Sequence, residues 1–228
     1  MELKDYKNND EFSNPYVVRC IMLGDFGVGK STITKILSEG MFDRSLEATV
    51  GIDFASKFIT LPDFNNHQVK LQVWDTSGSE RFFSIITNYL RDVYIAFIVF
   101  DMTDRKSFKS IDKWKIELEK YKKYNSIPLI VLVGTKCDLR NHQITSKEIR
   151  LKAKEWGCNF YVISATQSNS YNMVYRMFTI SAEDLHSSIV QDYIYGKDIP
   201  KGVLKSDPNR YFDSYDFSEE NKKWCCFA

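Results

Sequence analysis

The run Gly24-Asp25-Phe26-Gly27-Val28-Gly29-Lys30-Ser31 has the G-x-x-x-x-G-K-[ST] spacing of a phosphate cradle. Its glycines let backbone N–H groups turn inward around an anion, and a following helix adds the positive end of its dipole. The Lys30 ammonium can reach terminal phosphates, and the Ser31 hydroxyl can ligate Mg²⁺. Asp75-Thr76-Ser77-Gly78 then puts a carboxylate where a Mg²⁺ shell needs an oxygen and a glycine N–H where a γ-phosphate needs a donor. Thr49, in Ala48-Thr49-Val50-Gly51, can supply the metal with a second hydroxyl. In Thr135-Lys136-Cys137-Asp138 the carboxylate can accept both N1–H and the exocyclic N2–H₂ of guanine. Adenine presents neither donor, and an aspartate left unpaired in a dry pocket loses its hydrogen bonds, so the motif favours GTP over ATP. Ser164-Ala165-Thr166 offers a small-residue loop able to close over the purine.

These motifs need a scaffold that brings loop ends together, and the apolar patterning predicts one. Strand-like runs fall at Tyr16–Leu23, Ile52–Leu61, Gln68–Asp75, Val93–Asp101, Leu129–Gly134 and Asn159–Ile163. Helical periodicity falls at Lys30–Ser38, Phe108–Tyr124, Ser146–Trp156 and Tyr171–Ile189. The second and third runs, joined by a short turn through Pro62 and Asn66, read as a hairpin. The expected fold is α/β: a three-layer P-loop NTPase sandwich around a mostly parallel six-stranded sheet with one antiparallel edge strand. The expected organisation is a flexible extension over residues 1–14, a nucleotide-binding domain over 15–190 and a tail over 191–228 rich in aromatic residues, prolines and scattered charge.

Among 228 residues, 31 Lys and Arg balance 30 Asp and Glu, so no basic excess points to nucleic acid. The apolar runs Val93–Phe100 and Leu129–Val133 fall short of the roughly 18 residues a bilayer span needs, and polar Met1–Glu11 does not read as a signal sequence. The five cysteines have neither metal-ligand spacing nor a disulfide framework.

Taken in order, the motifs resemble those of the Ras-like small GTPases, and of the Rab family in particular, over about residues 16–189. The Rab-like details are Ile52-Asp53-Phe54, Lys70-Leu71-Gln72-Val73-Trp74-Asp75, Glu80-Arg81-Phe82, Ser84-Ile85-Ile86-Thr87, Phe100-Asp101-Met102-Thr103 and the closing cysteine pair. The resemblance implies a GTP/GDP switch with Mg²⁺ held by Ser31, Thr49 and, through water, Asp75. It implies nucleotide contacts from Asp25, Phe26, Gly27, Val28, Gly29, Lys30, Ser31, Thr32, Phe42, Thr49, Gly78, Thr135, Lys136, Asp138, Leu139, Ser164, Ala165 and Thr166. Phe42 would stack near the base, and the segments around 42–54 and 76–91 would change order on loss of the γ-phosphate. An aromatic triad of Phe54, Trp74 and Tyr89 would read out that state to effectors. The implied partners are effectors, an exchange factor, an activating protein and a prenyl-binding chaperone, around a monomer that cycles between cytosol and the cytoplasmic face of an intracellular membrane. Cys225 and Cys226 admit either double geranylgeranylation or a C-a-a-X box at Cys225. Two chains are favoured, because Glu219 and Glu220 offset Lys222 and Lys223 and a single lipid anchors weakly without a basic patch.

The sequence also departs from that family. Ser79 stands where Gln usually orients the attacking water, so the catalytic set would be Lys30, Gly78 and a degenerate Ser79. Phe26 replaces a small loop residue and would crowd both the water and an incoming catalytic side chain. Ala48, Ser77, Thr135 and Thr166 replace the usual Pro, Ala, Asn and Lys. These changes predict slow intrinsic hydrolysis and a weak response to conventional activating partners. The other possibility is that a Rab-type partner supplies both Gln and Arg fingers, in which case Ser79 matters less than Phe26. A scaffold that holds GTP without hydrolysing it is the alternative, and Thr135–Asp138 argues against an ATP-dependent enzyme.

Overall fold

The computed structural model describes residues 16–43, 49, 51–79, 86, 87, 89, 90, 93–120 and 128–194. The expected N-terminal extension, most of the tail and Cys225 and Cys226 lie outside the described residues. The strands are β1 (Tyr16–Leu23), β2 (Ile52–Leu61), β3 (His67–Thr76), β4 (Ile95–Asp101), β5 (Leu129–Thr135) and β6 (Asn159–Val162). The helices are α1 (Lys30–Glu39), α2 (Arg105–Lys120), α3 (Ser146–Trp156) and α4 (Ser170–Ile194).

The strands form one sheet in the order β2-β3-β1-β4-β5-β6. All neighbouring pairs are parallel except β2 with β3, which run antiparallel from Ile52↔Thr76 to Leu61↔His67. The expected hairpin is therefore present, closed by a 3₁₀ turn over Pro62–Phe64 and by Asn65 in the left-handed region. Every residue of β4 and β5 is buried, which explains their unbroken apolar runs: helices cover both faces of the central strands.

On one face, Val18, Cys20, Met22, Leu71 and Val73 pack beneath Ile33, Ile36 and Leu37 of α1 and Val174, Met177, Phe178 and Leu185 of α4. On the other, Ile21, Leu23, Ile98, Phe100 and Leu132 pack beneath Phe108, Ile111, Trp114 and Leu118 of α2 and Ile149 and Ala153 of α3. Because β1, β3, β4, β5 and β6 are parallel, the loops at their carboxyl ends gather along one edge of the sheet, the usual ligand crevice of such folds.

Some boundaries differ from the expectation. Helix α2 starts at Arg105, three residues before Phe108, because the Asp104 carboxylate accepts the Lys106 N–H at 2.9 Å. Strand β4 starts at Ile95, two residues after Val93, although Tyr94 already donates its N–H to the Arg19 carbonyl at 2.9 Å. Helix α4 runs to Ile194, five residues past Ile189. The predicted end of α2 at Tyr124 lies outside the described residues. No described helix is long and apolar enough to cross a membrane.

Candidate functional site: a nucleotide and metal pocket at the sheet edge

The loop Gly24–Gly29 joins β1 to α1, and its opening backbone leaves no room for a side chain. Gly24 has φ +140°, and a Cβ there would sit 2.2 Å from the Val99 carbonyl oxygen of β4. Helix α1 begins without a side-chain cap and without an acidic residue in its first turn. Its first N–H groups and the positive end of its dipole are left for an anion. Lys30 folds back over the loop and donates to the Gly24 and Asp25 carbonyls at 2.9 Å each. Only 4% of it is exposed. Burial lowers its pKa to about 8, against the pull of the Asp75 and Asp25 charges. Val28 is buried behind it, and Thr32 lies half-buried in the first turn of α1. Gly27 follows Phe26, whose ring is 65% exposed on the outside of the loop.

Three oxygens meet beside Lys30. Ser31 Oγ and Thr49 Oγ1 are 2.5 Å apart, and Thr49 Oγ1 donates to Asp75 Oδ2 at 3.3 Å. The other oxygen of that carboxylate, Asp75 Oδ1, is buried with no hydrogen-bond partner. Burial raises the Asp75 pKa, and hydrogen bonds from Ser31 and Thr49 with the Lys30 charge only partly offset it. An orphaned carboxylate oxygen next to two hydroxyls suits a hard divalent cation, so the residues fit Mg²⁺.

Gly78 closes the pocket from the β3 side. A Cβ at this position would lie 2.2 Å from the Asp25 carbonyl carbon and 2.3 Å from the Phe26 nitrogen. The β3 exit is anchored by Thr76 Oγ1 donating to the Met22 carbonyl at 2.6 Å and by Ser77 N–H donating to the Gly51 carbonyl at 2.8 Å. Ser79 follows, its N–H donating to Ser77 Oγ at 3.4 Å.

The loops after β5 and β6 build the second half of the pocket. The Thr135 hydroxyl lies 2.7 Å from the Val28 carbonyl and 3.1 Å from the Phe100 carbonyl, tying β5 to the phosphate loop and β4. Lys136 holds a left-handed φ of 57°, costly for a residue with a Cβ, and its ammonium pairs with Asp101 at 2.7 Å. Burial alone would raise the Asp101 pKa, but bonds from Lys136 and from the Thr103 N–H and hydroxyl outweigh it and lower the value. Asp138 receives one hydroxyl on each oxygen, Ser164 Oγ on Oδ1 at 2.6 Å and Thr166 Oγ1 on Oδ2 at 3.1 Å. Leu139 beside it is 43% exposed. Phe42 and Ala165, both half-buried, pack on the flank of the cluster beneath α1 and α4.

The model of the Ras family matches residues 19–184. Over 219 residues the chain is 31% identical to the human Ras-related protein Rab-27A, covering 92% of this chain and 96% of that protein. The rat Rab-27A matches to the same extent. The human Ras-related protein Rab-19 is 31% identical over 197 residues, 85% of this chain and 86% of its own length. The chain belongs to the Ras family, in its Rab branch.

Ras-family proteins bind guanine nucleotide together with Mg²⁺, and both halves of the pocket have the donors and acceptors for it. The Rab-type aromatic residues also come together: the rings of Phe54 and Trp74 are 4.7 Å apart, as are those of Trp74 and Tyr89. Phe54 is 43% exposed at this edge of the sheet. Two partners of the pocket had been given no role in it from sequence. Asp101 closes β4 in step with Thr135 of β5, and Trp114 of α2 donates its indole N–H to Asp25 Oδ1 at 2.8 Å. The signal for the second was a tryptophan on an apolar helix face, whose N–H needs a polar partner when buried.

Proposed function

We propose that this Rab-branch chain is a GTP/GDP switch that recruits effectors to an intracellular membrane while loaded with GTP, and that it hydrolyses GTP slowly on its own. The observation that carries the reading is the meeting of Thr49, Asp75 and Gly78 at the phosphate loop, within reach of Ser31 and Lys30. A γ-phosphate placed there would draw the Thr49 and Gly78 segments onto one anchor, and its loss would release both.

Lys30 neutralises terminal phosphate charge, and the Gly78 N–H and the uncapped N–H groups of α1 hold oxygens in place. Ser31, Thr49 and Asp75 would hold Mg²⁺, which supplies Lewis-acid charge stabilisation to the phosphates. Asp138 accepts the guanine donors with its carboxylate plane fixed by Ser164 and Thr166. The base is selected by hydrogen bonding, since a purine without those donors leaves a carboxylate poorly satisfied.

The weak element is the water-positioning group. Ser79 is too short to reach as Gln does in Ras, where intrinsic rates are on the order of 10⁻⁴ per second. The exposed Phe26 ring adds bulk where an activating partner would insert a side chain. Single-turnover hydrolysis of labelled GTP tests this. Ser79→Gln should raise the rate several-fold, whereas a wild-type rate at the ordinary Ras level with no gain from Ser79→Gln refutes slow hydrolysis. The non-hydrolysing scaffold rests on the same two residues. Mostly GDP on the purified chain favours the cycling switch, and persistent GTP favours the scaffold. Lipid attachment at Cys225 and Cys226 would supply the anchor, and mass spectrometry of the native C-terminal peptide reads it directly.

A further inference from the structure

Trp114 lies on α2, outside every nucleotide motif, and is only 7% exposed. Its indole N–H donates to Asp25 Oδ1 at 2.8 Å. Asp25 is a junction in its own right. Its carbonyl takes a hydrogen bond from the Lys30 ammonium, and its backbone is the wall on which Gly78 rests, with a carbonyl oxygen 2.4 Å from where a Gly78 Cβ would be. Its carboxylate is close enough to Lys30 to act on that ammonium. A negative group therefore stands beside the cation that receives the terminal phosphates. Trp114 belongs to the apolar cluster beneath α2 and α3, whereas the phosphate-receiving end of α1 packs on the opposite face of the sheet. The indole bond thus draws the carboxylate toward α2 and away from the α1 side.

We propose that Trp114 is a positioning residue for the triphosphate state: its N–H holds the Asp25 carboxylate off the γ-phosphate position and keeps the Asp25–Phe26 peptide set for Gly78. The inference rests on the guanine-nucleotide reading above. Without the tie, the carboxylate is free to swing toward the Lys30 ammonium, and so into the field of the phosphates. The cost then falls on GTP more than on GDP, because the γ-phosphate brings the charge nearest to Gly78 and Asp25.

The test uses the full chain and the ratio of its affinities for a non-hydrolysable GTP analogue and for GDP. Trp114→Phe keeps a ring in the core and removes the donor, and it should lower that ratio by about five- to tenfold. Adding Asp25→Asn removes the repelling charge and should restore the ratio to within about twofold of the wild type. A Trp114→Phe protein that is less heat-stable with an unmoved ratio, or a double variant that fails to restore it, overturns the proposal. Should Trp114→Phe not fold, hydrogen exchange of the Trp114 indole in the unmodified protein decides, with its resonance assigned through the Asp25→Asn variant. Slow exchange in the analogue-loaded state is expected, and exchange at the rate of an exposed indole overturns the idea. A wild-type chain with no preference for guanosine nucleotides refutes the functional reading instead. A guanosine-selective wild type whose Trp114→Phe variant keeps the same ratio refutes only the role of Trp114.

Discussion

Lys30 carries a positive charge into a place with little water, and the pH dependence of stability should reveal it. Its pKa stands at about 8 in the folded chain against an ordinary lysine value of 10.5, so the native state gives up its proton first. Between those values the unfolded chain binds more protons, and stability therefore climbs with pH. At 1.36 kcal/mol per unit, the nucleotide-free chain should gain about 2 kcal/mol between roughly pH 7 and pH 9.5, or about 4–8 °C in Tm for a domain of this size. Thiols complicate the raw curve, because burial pushes Cys20 up and Cys158 up to about 12, so their ionisation favours the unfolded chain above about pH 9. Lys30→Met keeps those thiols, and the difference between the two proteins isolates the lysine. Differential scanning fluorimetry of EDTA-stripped protein in matched buffers should show wild type gaining on Lys30→Met across this window. Phosphates beside the ammonium should raise its pKa again, so saturating Mg²⁺ and GDP should flatten the gain in the wild type. A difference curve that is level from about pH 7 to 9.5 would refute the reasoning.

Other outcomes follow from single contacts. Gly78→Ala pushes a Cβ into the Asp25 carbonyl carbon at 2.2 Å, so affinity for a non-hydrolysable GTP analogue should fall at least tenfold while GDP binding changes far less, as dissociation kinetics will show. Thr166→Val removes the hydroxyl on Asp138 Oδ2 and should speed GDP release about three- to tenfold, with Thr166→Ser restoring the slower rate. Thr145 caps α3 in a reciprocal capping box with Glu148, so Thr145→Ala should lower stability by about 1 kcal/mol, measured by urea unfolding. Bonds from Thr145 and Arg105 lower the Glu148 pKa to about 2, so that contribution is present above about pH 4.5 and fades as pH falls toward 2.

The phosphate loop, the β2–β3 hairpin and the six strands could be read because each rests on local chemistry: glycines at fixed spacing, alternation of apolar residues, and runs long enough for one strand. The start of α2 was missed because apolar periodicity begins at Phe108, whereas the helix is opened by the Asp104 carboxylate, a polar signal three residues earlier. Asp101 and Trp114 escaped for another reason. Their partners, Lys136 and Asp25, are 35 and 89 residues away in the chain, and only the crossovers of a parallel sheet bring them together. Asp138 was legible as a guanine acceptor, but its clamping by two hydroxyls depends on the β6 loop folding back, which no local pattern encodes.

The bare amino end of α1 also bears on how this protein survives in a cell. An uncapped helix start, a buried ammonium and a carboxylate oxygen without a partner are concentrated in one cleft, so an anion and a cation bound there should stabilise the fold. Nucleotide and cation then act as missing pieces of the interior, and each tenfold rise in their concentration above Kd should add about 1.4 kcal/mol of resistance to unfolding.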